Sequence, residues 1–140
     1  MAWAGPAAAQ AVREVGLQAL VTTADPALVT GGLYAALRPS LRLRIAAIVG
    51  AGIAAGRPAG RGEVLAHFLL SPMATARAGW YLGAGIAGVV GSVDKGYLVA
   101  LVGLEGAPGG RSGWAVEAGV GGGARLTAGW RWRWGGARKQ

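Results

Sequence analysis

The stretch Gly129-Trp130-Arg131-Trp132-Arg133-Trp134 places three of the chain's six tryptophans on every second residue, with arginines between them. Residues i and i+2 do not share a face of a helix, whereas successive side chains of a β-strand point to opposite sides. A strand therefore sorts indole onto one side and guanidinium onto the other. The segment predicts a strand with one apolar face and one cationic face.

The same alternation runs through seven earlier segments of the chain. In the third of them, Leu43, Ile45 and Val49 alternate with Arg44 and Gly50. The segments end at stretches rich in Gly, Pro, Asp and Ser, such as TTADP, SPMAT and GGG, which connect antiparallel strands. The sixth segment, GYLVALVGLE, is apolar on both faces, so its facing stays open. The pattern predicts eight antiparallel strands in one domain.

The composition indicates which face of these strands meets water. The 140 residues are 53% hydrophobic and 14% charged, with 27 glycines, whereas roughly 25% of a typical globular chain is charged. A membrane barrel has its apolar face outside and crosses with strands of about ten residues. Eight strands close around an interior that side chains just fill. We therefore predict an all-β fold, an eight-stranded antiparallel up-and-down transmembrane β-barrel with short turns.

The charge and the absence of cysteine limit the possible partners. The formal net charge is +8 and the chain has no cysteine and one histidine, so thiolate and histidine metal clusters are excluded and no cofactor is expected. A nucleic-acid-binding protein would show a lysine-rich patch or a known module, and neither is visible. Arginines spaced singly within apolar segments favour ion pairs inside the barrel.

The polar face of the strands predicts a network in the lumen. Unpaired buried ions cost several kcal/mol each, so these side chains must pair, and we expect them to plug and stiffen the barrel. A small anion-permeable pore is the alternative, because arginine outnumbers glutamate in this set, although eight strands leave little open bore. The predicted inward residues are Glu14, Gln18, Arg38, Arg42, Arg44, Glu63, His67, Glu117, Arg125, Thr127, Arg131 and Arg133.

The last strand resembles that of the small eight-stranded outer-membrane β-barrel proteins of diderm bacteria. Its order is a polar residue, a glycine two positions later, an apolar residue and alternating aromatics, carried by Thr127, Gly129, Trp130, Trp132 and Trp134. The resemblance implies an outer-membrane location and recognition by the barrel-assembly machinery. It also implies contact with outer-membrane lipid and lipopolysaccharide, as a monomer with a structural or interaction role.

The tryptophans predict an aromatic girdle at one end of the barrel. If both termini lie at one rim, odd-numbered strands leave that rim and even-numbered strands return to it. Trp80 and Trp114 open the fifth and seventh strands, and Trp130, Trp132 and Trp134 finish the eighth. Indole prefers the membrane–water interface, so we expect all five at the terminal rim.

The predicted loops are short and give no support to an adhesin or receptor role. The longest, near 56–62 and 106–112, contain Gly, Pro and Arg without an aromatic binding surface. We expect Arg57 and Arg61 to be exposed in the first of these loops. If that loop is extracellular, both arginines can contact the phosphates of lipopolysaccharide.

The two ends of the chain are set apart from the barrel. Residues 1–11, MAWAGPAAAQA, resemble the small-residue pattern that precedes a signal-peptidase site, and we interpret them as the remnant of a secretory signal peptide. The barrel is predicted over 12–134, and 135–140 form a basic C-terminal tail.

Catalysis is not expected. His67 is the one histidine, and the nearest serine, Ser71, lies where a turn is predicted. A general base needs hydrogen-bond reach to its nucleophile and an orienting partner. Glu63 shares a strand face with His67, but four residues along a strand span about 13 Å. We therefore predict that the protein is not an enzyme.

Two rival folds remain open at this stage. A helical inner-membrane protein is suggested by 78–93 and 96–104, which are nearly free of charge. No stretch reaches the roughly 20 apolar residues of a spanning helix, and a helix would spread the C-terminal tryptophans around its circumference. The other rival is a soluble β-barrel that binds a small ligand.

Overall fold

A computed structural model describes residues 12–23, 27–73, 75, 77–91, 94–121 and 123–135. Each strand pairs with its neighbours in sequence, and the last pairs with the first, so the sheet is a closed antiparallel barrel. The predicted all-β, eight-stranded fold is confirmed. The proposed signal remnant at 1–11 and positions 136–140 of the tail lie outside the described residues. The strands are β1 (Val12–Thr22), β2 (Leu28–Arg38), β3 (Leu43–Ala54), β4 (Arg57–Leu69), β5 (Ala78–Val90), β6 (Lys95–Gly106), β7 (Ser112–Val120) and β8 (Ala124–Gly135).

Closure depends on the pairing of β1 with β8, which runs from Val12 opposite Gly135 to Thr22 opposite Arg125. A closed sheet leaves no edge strand whose backbone groups lack partners. Among the residues described, no helix is long and apolar enough to cross a membrane. The helical alternative is wrong for residues 78–90 and 96–104, because these lie in β5 and β6.

We call the end of the barrel at Val12 and Gly135 the terminal rim, and the end with the β1–β2, β3–β4, β5–β6 and β7–β8 turns the distal rim. Side chains alternate between exterior and interior along each strand, except at some strand ends such as Arg57 and Pro58. In β1, for example, Leu17 is 55% exposed and the next residue, Gln18, is 8% exposed. Where burial is described, exposed strand residues are Ala, Gly, Val, Leu, Ile, Phe and Trp, apart from Arg13, Arg57 and Pro58 near strand ends.

The interior near the distal rim contains a cluster of apolar side chains. They come from the distal ends of five strands and pack together with the partly buried Tyr97. Buried polar residues lie at this end as well, because Thr22 is opposite Arg125 and Arg61 donates to the Gly121 carbonyl of the β7–β8 turn. The members of the apolar cluster are Leu20, Leu28, Ala54, Ala59 and Val89.

The connection between β3 and β4 is two residues long, not the loop over 56–62 that the sequence suggested. Ala54 pairs with Arg57, and the intervening Ala55 and Gly56 have φ angles of 54° and 74°. Two positive φ angles are the signature of a type I′ turn, whose twist matches that of the flanking strands. The sequence GRPAGRG did not indicate that β4 begins at Arg57, because glycine and proline usually mark loops.

Replacement of Ala55 by asparagine is expected to stabilise the barrel. Alanine in the left-handed region costs roughly 1–2 kcal/mol, whereas asparagine is preferred at this turn position. We expect a gain of about 0.5–1 kcal/mol in the free energy of unfolding, measured by urea titration in lipid vesicles. Gly56→Ala is the control and is expected to lower the free energy of unfolding, because it places a Cβ at a positive φ angle. A loss of stability in Ala55→Asn would contradict the assigned turn.

Candidate functional site

All four glutamates of the sequence lie inside the barrel, together with six arginines. None of these ten residues is more than 6% exposed. We call this set the interior ion network. Its members are Glu14, Glu63, Glu105, Glu117, Arg38, Arg44, Arg61, Arg125, Arg131 and Arg133.

Two glutamates organise the part of the network near the terminal rim. Arg38 Nε donates to Glu14 Oε2 at 2.8 Å. Arg44 Nη1 lies 3.3 Å from Glu14 Oε2 and 3.0 Å from Glu105 Oε1, and so joins the two carboxylates. Arg131 Nη1 donates to Glu105 Oε2 at 2.7 Å. Each carboxylate therefore contacts guanidinium groups from more than one strand.

Arg133 connects the β6–β7 turn at the terminal rim to two glutamates of the network. Its Nη1 donates to the carbonyl oxygens of Ala107 at 3.0 Å and Gly110 at 3.3 Å. The other nitrogens of its guanidinium lie 3.7 Å from Glu14 Oε2 and 3.7 Å from Glu105 Oε2. One side chain thus connects the turn outside the barrel to the ions inside it.

Glu63 and Glu117 organise the part of the network farther from the terminal rim. Arg125 contacts both, with Nε 2.9 Å from Glu63 Oε2 and Nη1 2.8 Å from Glu117 Oε1. Arg61 Nε donates to Glu63 Oε2 at 2.8 Å, and its Nη2 donates to the Gly121 carbonyl at 2.8 Å. These contacts link β4, β7 and β8 across the lumen.

Two tyrosines and Arg131 join the two parts of the network. Arg131 Nη2 lies 3.2 Å from both Glu117 Oε2 and the Tyr81 hydroxyl, and its guanidinium carbon is 4.1 Å from the centroid of the Tyr34 ring. The Tyr34 hydroxyl donates to Glu14 at 3.1 Å, and the Tyr81 hydroxyl donates to Glu117. The interior ion network is therefore continuous from one part to the other. The stabilisation that buried ion pairs give depends on the geometry of their hydrogen bonds.

His67 contacts the interior ion network and lacks the surroundings of a catalytic base. Arg44 Nε donates to His67 Nδ1 at 2.9 Å, so the ring proton lies on Nε2, which is 3.9 Å from Glu117 Oε2. The ring packs 4.7 Å from that of Tyr81. Among the described residues, no serine or threonine hydroxyl bonds to His67, and no group of three or more His, Asp or Glu side chains is arranged to hold a metal ion.

Arg42 is the predicted lumen residue that the structure places elsewhere, so its assignment was wrong. It is exposed in the β2–β3 connection, where Nη1 donates to the Leu69 and Leu70 carbonyl oxygens at 3.1 and 3.0 Å. The alternation starts at Leu43, the first residue of β3. The direction in which an earlier residue such as Arg42 points does not follow from it. The buried predicted residues are Glu14, Gln18, Arg38, Arg44, Glu63, His67, Glu117, Arg125, Thr127, Arg131 and Arg133.

The expectation that Arg61 is exposed in a loop was also wrong. It is 5% exposed and faces inward from β4, in phase with Ala59 and Glu63. The interior position follows from the early start of β4 at Arg57, which converts the predicted loop into strand. Arg57 itself is exposed.

Glu105 was missed because its strand looked apolar on both faces. In β6, Leu98 and Val102 point outward, whereas Leu101 and Glu105 are buried. The one carboxylate in this segment could have identified the inward face of β6, because the residues in phase with Glu105 are those that point into the barrel. Gly103 lies on that same side, and a Cβ there would overlap the Tyr81 ring. A small residue at this point makes room for the tyrosine that bonds to the network.

The five tryptophans of the predicted girdle are exposed, and four of them lie toward the terminal rim, whereas Trp130 is opposite Leu17 in the middle of β1. Trp114 pairs with Trp130, and Trp132 is opposite Ser112, the first residue of β7. Trp80 is the third residue of β5. Their exposed fractions are 54% for Trp80, 40% for Trp114, 42% for Trp130, 45% for Trp132 and 48% for Trp134.

Comparison with known proteins supports the fold. No protein-family model and no curated protein sequence matches the chain. Among solved structures, the N-terminal β-barrel domain of OprF from Pseudomonas aeruginosa is similar, with a TM-score of 0.65 and 11% sequence identity. The match covers 86% of this chain and 97% of the OprF domain. The chain thus shares the barrel architecture of that domain over 86% of its length.

Proposed function

We propose that this chain is an integral outer-membrane β-barrel protein of a diderm bacterium. Its role is structural or one of interaction, its lumen is plugged by the interior ion network, and it is not an enzyme. The observation that carries the proposal is the inverted arrangement of its side chains. Six arginines and four glutamates lie in the interior beside smaller apolar clusters, and an apolar belt surrounds the whole circumference.

The belt is too extensive for a protein surrounded by water. Leu33 and Val49 are each 61% exposed, and Leu98 is 82% exposed, while Arg44 and Arg125 are fully buried. Soluble monomers rarely expose contiguous apolar patches larger than a few hundred Å², and every strand of this barrel contributes to the belt. A hydrocarbon solvent outside the barrel removes this cost, and the closed sheet satisfies the backbone there. These features also weigh against a soluble ligand-binding barrel.

The two rims support contacts with lipid headgroups. Four of the five tryptophans form an aromatic girdle at the terminal rim, where exposed arginines also lie. Indole and arginine suit the boundary between hydrocarbon and phosphate. At the distal rim the exposed Arg57 stays a candidate for lipopolysaccharide phosphates, on the proposal that the termini face the periplasm. The terminal-rim arginines are Arg13, Arg42, Arg77 and Arg111.

The C-terminal strand supports assembly by the barrel-assembly machinery and a monomeric state. Thr127, Gly129, Trp130, Trp132 and Trp134 lie on β8, which closes the barrel against β1. A closed barrel offers no free strand edge to a second copy. We therefore expect a monomer that the machinery inserts through this last strand.

Membrane separation tests the proposed location. The full chain is expressed behind a secretory signal in a diderm host, and inner and outer membranes are separated by density. We expect the protein in the outer-membrane fraction, with a change in gel mobility on heating. Recovery in the inner-membrane or soluble fraction would overturn the proposal.

Conductance measurements distinguish the plug from the anion-permeable alternative. Because the interior is filled by the ion network and by the apolar cluster near the distal rim, we expect a flat current after reconstitution into planar bilayers. Gel mobility and lipid flotation confirm that the barrel has inserted. Discrete anion-selective steps in the wild-type current would contradict the plug and favour the pore.

A further inference from the structure

The interior ion network carries more positive than negative charge. Its six arginines and four glutamates leave a formal excess of two positive charges among the described interior residues. Arginine does not lose its proton in proteins, so the network cannot relieve this excess by deprotonation. His67 leaves this excess unchanged, because its Nδ1 accepts a hydrogen bond from Arg44 and the ring is therefore neutral.

At least half of the excess lies near the terminal rim. Among the described acidic residues, Arg38, Arg44 and Arg133 form ion pairs with Glu14 and Glu105 and with no others. Three of these pairs are long: Arg38 Nη2 is 3.6 Å from Glu105 Oε1, and Arg133 is 3.7 Å from each carboxylate. Three guanidinium groups thus share two carboxylates, one of which also binds Arg131.

Hydrogen-bond donors without partners lie at the same place. Arg38 Nη2, Arg44 Nη2, and both Nε and Nη2 of Arg133 are buried and have no hydrogen-bond partner among the described residues. The three side chains are each more than nine-tenths buried. Buried polar groups nearly always have a partner, which includes bound water or ions. Four of the seven buried side-chain nitrogens without a partner among the described residues therefore belong to these three guanidiniums, and three of the four have a Glu14 or Glu105 oxygen at 3.6–3.7 Å as their acidic neighbour.

We propose that this end of the interior binds a small monovalent anion of the chloride class between Arg38, Arg44 and Arg133. A water molecule would satisfy the donors but leave the excess at two positive charges, whereas a monovalent anion satisfies them and lowers the excess to one. Arg38 ends β2 and Arg133 lies two residues before the end of β8. The anion therefore reaches the site from the terminal rim without crossing the rest of the network.

Anomalous diffraction locates such an anion directly. Crystals of the full chain in detergent are grown or soaked in bromide, which replaces chloride and scatters anomalously. The expected result is a bromide peak within hydrogen-bond distance of the three guanidiniums. Peaks at exposed arginines such as Arg111, with none in the interior, would overturn the proposal.

Stability in different anions gives an independent test in solution. At constant ionic strength, replacing gluconate by chloride is expected to raise the melting temperature of the wild-type barrel, with a saturable dependence on chloride concentration. Arg133→Gln is expected to weaken apparent chloride binding at least about tenfold. Arg111→Gln, which removes an exposed charge at the same rim, is expected to bind chloride as the wild type does. Equal stability in chloride and gluconate would overturn the proposal.

The anion site and the outer-membrane location can fail separately. Both anion experiments use refolded protein in detergent, so they do not depend on where the protein resides in a cell. If Arg133→Gln does not fold, the bromide map of the wild type still shows whether an anion binds between the three guanidiniums.

Discussion

Val49→Arg is expected to lower the stability of the inserted barrel by about 2–4 kcal/mol, the cost of arginine near the bilayer midplane. Val49 is 61% exposed and lies near the middle of β3, opposite Leu33 and Gly62 in the neighbouring strands. Its guanidinium would lie in hydrocarbon far from either headgroup layer. The free energy of unfolding is measured by urea titration of tryptophan fluorescence in lipid vesicles.

Leu43→Arg is the matched control for depth. Leu43 faces outward from the first position of β3, at the terminal rim, where arginine reaches the headgroups and costs about 0–1 kcal/mol. The same substitution at two outward positions of one strand thus separates lipid burial from a general loss of strand stability. A soluble barrel would tolerate arginine at both positions, and equal small effects would contradict the lipid-facing belt.

Glu105→Gln is expected to destabilise the barrel by about 3–5 kcal/mol, the usual cost of removing one partner from a buried ion pair. The Glu105 carboxylate lies 3.0 Å from Arg44 Nη1 and 2.7 Å from Arg131 Nη1. It is also within 3.6–3.7 Å of Arg38 and Arg133. Glutamine keeps the size of the side chain but leaves these guanidiniums with one fewer anion.

The control for Glu105→Gln is Asp94→Asn, which removes the same charge from an exposed position at the distal rim. Asp94 accepts a hydrogen bond from Gly91 N at 3.3 Å, and surface substitutions of this kind usually change stability by roughly 0.5 kcal/mol. Adding Arg38→Gln to Glu105→Gln is expected to cost less than the sum of the two single effects, because it removes an unbalanced cation. If the two single effects simply add in the double mutant, Glu105 and Arg38 are not energetically coupled.

The interior assignments depended on strand phase, and they failed where the phase was not continuous. Arg44 and Arg131 each lie within a run of alternating residues, and their inward position follows from the pleat. Arg42 precedes its strand and is exposed, while Arg61 appeared to lie in a loop and is buried. Strand ends depend on pairing with distant neighbours, such as Ala54 with Arg57, and local composition does not specify them.

The amino-acid sequence by itself determined the eight strands, their antiparallel closure and the apolar exterior. These features follow from a period of two, which is local, and from a composition with too few charges to cover a water-exposed surface. Only the tertiary structure decided which ions pair. Glu105 is joined to Arg44, 61 positions away, and Glu63 to Arg125, 62 positions away. Such contacts are set by the register between strands across a closed lumen, where the position of each charge depends on all the strands at once.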